Sequence, residues 1–363
     1  MNETRERIAL LSKALDLMTD SPIRVMEVCG THTVSIFRQG LRSLFPPSLE
    51  LVSGPGCPVC VTDQGEIDAA VSLAEIKGVT VATYGDMLRV PGSGSSLVNE
   101  RALGRDVRVI TSADQALEIA RNEKTRLVVF VAVGFETTAP STASVILDAH
   151  REGRGNFTVL NLHKAVPPVL EALASDKDIA LDALLLPGHV SVILGLSPYR
   201  FLAEDHGIAC AVAGFGAEDI MLALVEVVRQ IREGRPRVAS LYSQAVREEG
   251  NCLARDLIDR VFEPCDSSWR GLGNLPLSGY GLREEYSSID ALKRLEISIN
   301  DTSPPAGCSC GEVLKGKMLP RECALFGKLC NPSHPVGPCM VSSEGSCAAH
   351  FRFSRGGDDP WKH

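Results

Sequence analysis

Leu127–Pro140 reads LVVFVAVGFETTAP: a valine-rich apolar run, then a polar turn leading into Ser141–Arg151, where apolar residues recur at helical spacing. A short β-branched run that is apolar on both faces marks a strand buried in a sheet covered on both sides. The same unit recurs over the first two thirds of the chain. Ile23–Val28 (IRVMEV), Leu49–Gly54 (LELVSG), Val79–Gly85 (VTVATYG) and Val107–Ser112 (VRVITS) come before it. Phe157–His163 (FTVLNLH), Asp182–Gly188 (DALLLPG) and Ile208–Phe215 (IACAVAGF) come after it. Amphipathic segments lie between, among them Gln64–Lys77, Ala113–Lys124 and Glu218–Arg232. Asp63 with Glu66, and Ser112 with Gln115, have the spacing of capping boxes. Alternating strands and helices predict parallel sheets with helices on both faces.

The expected fold is therefore α/β: two small parallel-sheet domains of about four strands each facing a cleft, plus a C-terminal helical and loop-rich domain. The polar stretch Arg121–Thr125 falls midway, which divides the chain into residues 1–122, 123–236 and 237–363. Beyond Pro236 the pattern changes. Helical periodicity runs over Ser240–Arg260, a Gly/Pro/Ser-rich loop covers Phe262–Gly281, and a helical piece follows at Ser288–Leu295. The end is dominated by Cys, Pro and Gly. Such a tail buries little apolar surface, so a metal is a plausible organiser.

Composition narrows the function. The chain has 363 residues, 44% of them apolar, and a net charge of −8, with a pI near 5.6. Nucleic-acid binding and attachment to an anionic membrane have no compositional support. The N-terminal stretch Met1–Asp20 lacks the plan of a signal peptide. The longest apolar stretch, Leu181–Leu196, is broken by Pro187, Gly188 and His189 and is too short to span a bilayer. A soluble cytoplasmic protein is expected. In that compartment the 12 cysteines read as metal ligands or redox groups rather than staples.

In an open parallel sheet, ligands bind beyond the carboxyl ends of the strands. The segments that follow the strands here are CGTHT (Cys29–Thr33), GPGCPVC (Gly54–Cys60), YGDMLRVPG (Tyr84–Gly92) and GFETTAP (Gly134–Pro140). Further along come NLHKAVPP (Asn161–Pro168), PGHVS (Pro187–Ser191) and GFGAEDI (Gly214–Ile220). Cys57 and Cys60, flanked by Gly and Pro at the start of a helix, suit redox work or soft-metal binding. Cys29 and His32 place a soft and a borderline ligand on one turn, although a helix cap is the blander reading of the histidine. His163 and His189 are each ambiguous between a structural and a functional role, and Glu136 reads as an anion at a helix N-terminus or as a carboxylate aimed at the cleft. Cys210, Cys252 and Cys265 have no partner at motif spacing and read as ordinary thiols.

The tail spacing is C-x-C-x12-C-x6-C-x8-C-x7-C, over Cys308, Cys310, Cys323, Cys330, Cys339 and Cys347. It lacks the paired knuckles of a zinc ribbon. A four-cysteine iron–sulfur cluster with two thiols left over fits better, with a structural zinc or cluster as the alternative.

Taken in order, CGTHT, GPGCPVC, YGDMLRVPG, GFETTAP, HKAVPP, PGHVSVILG and the tail CALFGKLCNP…GPCMVSSEGSCAAHFRF resemble the HypD family of nickel–iron hydrogenase maturation factors. The resemblance runs from about Glu27 to Phe353 and departs from the expected pattern at GFGAEDI. It implies a scaffold that works with HypC and holds iron while cyanide and carbon monoxide are attached. Cyanide would come from HypE with HypF, and the finished Fe(CN)2CO group would pass to the hydrogenase large subunit. The working thiols would be Cys29, Cys57 and Cys60, with His32 in the same motif. The tail would hold a 4Fe–4S cluster on Cys308, Cys323, Cys330 and Cys347, with Cys310 and Cys339 as a redox dithiol. A free-standing cluster-dependent thiol–disulfide oxidoreductase is the competing reading. A zinc-stapled binding module is the third.

Overall fold

The structure is a computed structural model that describes residues 2–353. Residue 1 of the expected first region and residues 354–363 of the third lie outside them. Among the described residues, nine parallel strands form two sheets. They are β1 (Ile23–Glu27), β2 (Leu49–Ser53), β3 (Val79–Tyr84), β4 (Val107–Ile110), β5 (Leu127–Gly134), β6 (Phe157–His163), β7 (Ala183–Leu186), β8 (Ala209–Val212) and β9 (Val238–Ser240). One sheet has the order β2-β1-β7-β8-β9 and the other β4-β3-β5-β6. Val25 pairs with Leu51 on one side and Ala183 on the other. Val131 pairs with Thr83 and Leu160.

The α/β class with two parallel sheets is the one expected. The strands are not shared out in chain order, however, as a boundary at 122/123 would have them. The chain leaves the first sheet after β2, builds the whole second sheet, and returns at β7. Arg121–Thr125 is not a linker. It ends the helix Ala113–Asn122 and turns into β5 within one sheet, and Asn156 ties it down by donating to the carbonyls of Ala120 and Glu123. Strand partnership is decided by burial between residues far apart in sequence, so a polar turn looks the same inside a unit as between two.

Each strand sends alternate residues to opposite faces. In β5, Val128, Phe130 and Ala132 pack with the helices Ala113–Asn122 and Ala139–Arg151. Val129, Val131 and Val133 face the other way, into a core shared with Met26, Val52, Leu184 and Val212 of the first sheet. The opposite face of the first sheet, with Val25, Leu51 and Leu185, packs on the helices Asn2–Met18 and Ala217–Glu233. The two sheets thus present one face each to a common interior, and that interior contains Cys57, Cys60, Cys310, Cys330, Cys339 and Cys347.

Three local expectations change. The Gly/Pro/Ser-rich stretch 262–281 is not a loop but an antiparallel hairpin, β10 (Phe262–Trp269) and β11 (Gly273–Leu282). The hairpin is a separate two-stranded sheet, so Pro264 and Pro276 break no longer ladder. Over Ser240–Arg260 helix forms only in Cys252–Val261. The box at Asp63 and Glu66 forms as expected, whereas Gln115 accepts from the Thr111 backbone N–H at 2.9 Å instead of closing a box with Ser112.

Candidate thiol site

Cys29 follows β1 and starts the helix Gly30–Arg38 in an extended conformation. Its thiol faces the backbone N–H groups of His32 and Thr31, but burial dominates and pushes its pKa up to about 11. Beside it, Cys57 caps the short helix Pro58–Val61, with the Cys60 N–H directed at its sulfur at 3.2 Å. Cys57 and Cys60 are joined in a disulfide with Cα atoms 5.2 Å apart.

The two motifs are stitched together by backbone. Gly30 N–H donates to Gly56 O at 3.0 Å. A Cβ on Gly56 would come within 2.3 Å of the Cys29 nitrogen, so the close approach requires glycine there. His32 is buried and turned away: its Nε2 is 3.0 Å from Gly214 O, beyond β8, and its ring lies on Phe215. Burial lowers its pKa to about 4, leaving it neutral.

The other strand-end residues divide by role. His163 is fully engaged between Asn161 Oδ1 at 2.6 Å and Thr138 Oγ1 at 3.1 Å. Burial takes its pKa down to about 3, which fits a structural ring. His189 is exposed and its ring packs at a tilt against Phe215, with centroids 4.3 Å apart. Glu136 is wholly buried and accepts the Val166 N–H at 2.8 Å, while its Oε2 has no partner. Burial raises its pKa to about 7. Tyr199 is held between the sheets: burial, then the fields of Glu136 beyond β5 and Cys29 beyond β1, push its hydroxyl well above the ordinary range.

The cysteine-rich region lies directly against this site. The helix Pro338–Val341 starts one residue before Cys339 and ends at Ser342, whose Oγ is 3.3 Å from Cys57 Sγ. Asp86 accepts from the Ser342 hydroxyl at 3.0 Å and from the Ser343 N–H at 2.9 Å. Arg89 donates to Val341 O at 3.3 Å. Thr31 donates to Glu344 Oε1 at 2.5 Å, and a Cβ on Gly30 would meet Glu344 O at 2.5 Å. The motifs CGTHT and YGDMLRVPG therefore form the socket for Val341–Glu344. Asp86, Arg89, Ser342 and Glu344 were not singled out in the sequence; an acid and a base on one strand-end loop, matched by SSEG after a cysteine, were the available signal.

The hairpin clamps the other side. Arg270, buried in its turn, donates to Thr62 O at 3.0 Å and to Gln64 Oε1. Gly271 approaches Gly311 so closely that a Cβ would lie 2.2 Å from its Cα. A buried ion pair, Lys164 to Glu66, anchors the hairpin through Ser267 and Ser268.

Cys308, Cys310, Cys323, Cys330 and Cys347 line one small apolar hollow with Met340 and Phe326, and Cys339 is not among its lining residues. Cys310 is in hydrogen-bonding reach of Cys308, Cys339 and Cys347. The bond between Cys308 and Cys310 splits their acidities, taking Cys308 down to about 6 and Cys310 well up. Against the upward push of burial, the N–H groups of Leu325 and Ser309 lower Cys323. The Val336 N–H points at Cys330 Sγ from 3.4 Å. Among the described residues no group of three or more His, Cys, Asp or Glu is arranged to hold a single metal ion.

Fold and site together define a two-sheet α/β protein with a buried cysteine pair at the strand ends and a cysteine-rich region docked upon it. Residues 4–354 match the family described as Hydrogenase formation hypA family, HypD. The chain is 42% identical to a putative hydrogenase expression/formation protein of Methanocaldococcus jannaschii, over 96% of this chain and 98% of that one. It is 42% identical to the hydrogenase maturation factor HypD of Rhodobacter capsulatus, over 95% and 93%, and 41% identical to that of Escherichia coli K12, over 96% and 93%. The chain belongs to the HypD family of hydrogenase maturation factors, which act with protein partners. No described helix is long and apolar enough to cross a membrane.

Proposed function

We propose that this chain is the cytoplasmic scaffold on which, with HypC, the Fe(CN)2CO group of the nickel–iron active site is assembled. Cyanide comes from HypE working with HypF, and the finished group goes to the hydrogenase large subunit. The iron is cargo, taken up at Cys29, Cys57 and Cys60, while His32 of the same motif is turned to Gly214. Thiolates suit low-spin ferrous iron carrying strong-field ligands.

The residues that would hold a 4Fe–4S cluster are Cys308, Cys323, Cys330 and Cys347. All four line the hollow; Cys308 and Cys323 are lowered toward thiolates, whereas the hydrogen bond to Cys310 holds Cys347 well up. When bound, such a cluster supplies electrons one at a time. Cys310 and Cys339 are the dithiol. In exchange with the cleft they lose two electrons and two protons as their sulfurs join, and the Cys57–Cys60 bond takes up both and opens to two thiols.

The observation that carries this reading is the contact at Ser342: the segment just after Cys339 lies against the Cys57–Cys60 pair. The disulfide itself also suits the second reading, a cluster-dependent thiol–disulfide oxidoreductase acting on a protein substrate. Infrared spectroscopy of the chain purified anaerobically with HypC separates the two. Bands of metal-bound cyanide and carbon monoxide are expected. Their absence from an active maturation background overturns the scaffold.

A further inference from the structure

Between the edge strand β2 and the cysteine-rich region lies a cavity of about 420 Å³, none of whose lining residues is a cysteine. Its size is that of a small-molecule pocket, and its wall is mainly apolar, with Phe37, Phe45, Leu51 and Phe326. The polar side chains of the lining are Arg42, Arg321, His350, Ser48 and Glu50. The Arg42 guanidinium is fixed 4.5 Å from the centre of the Phe37 ring and donates through Nη2 to Leu51 O at 3.4 Å. Its buried Nε has no partner. Nor has the buried Nε2 of His350, whose ring packs edge-on against Phe37 at 4.6 Å. A buried donor left unpaired is costly unless a ligand oxygen meets it.

Two carboxyls lie nearby. Glu50, on the lining, is paired with Arg24 at 3.1 Å. Glu27, in the field of Arg42, accepts from Ser53 at 3.0 Å through Oε1, while its Oε2 has no partner. The cavity thus combines an apolar body with a polar end at which Arg42 Nε and His350 Nε2 have no partner.

We propose that this cavity binds a small amphipathic carboxylate, its apolar part against Phe37, Phe45 and Phe326 and its head group on Arg42, His350 and Arg321. Phe326 also lines the cysteine hollow, so the bound molecule shares a wall with the tail thiols. The test is calorimetric titration of the full chain, purified anaerobically, with decanoate and with its neutral amide. Saturable one-to-one binding of decanoate is expected, with the amide weaker by roughly ten-fold or more. Arg321→Met, at the exposed end, and His350→Phe, which keeps the ring packing, should each weaken decanoate by roughly ten-fold. Arg42→Met should abolish binding if it folds; the other two variants decide the matter if it does not. Equal affinity for the amide, unchanged affinity in Arg321→Met and His350→Phe, or no saturable binding overturns the proposal. So does protection of Arg321 only within a complex with a maturation partner, which would make this face a protein-docking surface.

Discussion

The hydroxyl of Ser342 lies 3.3 Å from the sulfur of Cys57, across a sequence separation of 285 residues. The same hydroxyl donates to Asp86 at 3.0 Å. One carboxylate thus holds the segment after Cys339 against the cleft disulfide. Hydrogen bonds to a charged acceptor contribute about 1.5–3 kcal/mol each where both partners stay in place. Asp86→Asn should destabilise the chain by about 2 kcal/mol, and Ser342→Ala by about 1 kcal/mol. Urea denaturation followed by fluorescence measures both. If the two effects add in the double variant, the residues do not act through one contact.

Cys310→Ala should slow reduction of the Cys57–Cys60 bond when electrons enter through the tail. Stopped-flow reduction measures the rate. An unchanged rate removes Cys310 from the path. Direct reduction of the same variant by a small dithiol should stay at the wild-type rate, because the cleft is untouched.

Replacing tail cysteines one at a time should divide the six into the proposed cluster ligands and the proposed dithiol. Cys323→Ala and Cys330→Ala are expected to abolish the visible charge-transfer absorption of anaerobically purified protein. Cys310→Ala and Cys339→Ala should keep it. Loss of colour in Cys339→Ala would reverse the assignment; Cys339 is outside the hollow that the other five line.

Gly56→Ala should be far more damaging than a surface glycine. Its new Cβ would sit 2.3 Å from the Cys29 nitrogen, and backbone cannot step aside as a flexible side chain can. The expected loss is about 3 kcal/mol. Gly155→Ala, with nothing within 4 Å of the new atom, serves as the control. Equal midpoints in guanidinium would show that the close approach is not required.

Glu136→Gln should change how stability varies with pH. Burial raises the folded carboxyl from 4.5 to about 7. Below pH 4.5 both states hold the proton and the group is neutral in the balance. Between pH 4.5 and 7 the unfolded chain releases its proton while the folded one keeps it, so stability falls, by about 3 kcal/mol in all. The amide has no such term. The variant should therefore gain on the wild type at pH 8 much more than at pH 5. Urea titrations at the two values would show a constant difference if Glu136 ionises freely in the fold.

Much of this was legible in the residues themselves. Strands such as LVVFVAVG and LELVSG announce burial by composition, and the Gly-rich turns that follow them mark the strand ends. The candidate thiol site therefore lies where an open parallel sheet would put it. The hairpin 262–282 was hidden because Pro264, Pro276 and several glycines carry the signature of a loop, while its strand pairing depends on docking to Thr62 and Gly311. His32 looked like a thiol neighbour, yet one helical turn carries its ring to Gly214.

By itself the sequence determined the α/β class, the two groups of cysteines and the loops that carry them, because strand periodicity and motif spacing are local. Only the tertiary structure decided that β1 and β2 pair with β7 to β9, that Asp86 and Arg89 receive Val341–Ser343, and that the tail lies on the Cys57–Cys60 pair. Those facts rest on contacts between residues hundreds of positions apart, and their selection comes from the interior that both sheets fill together.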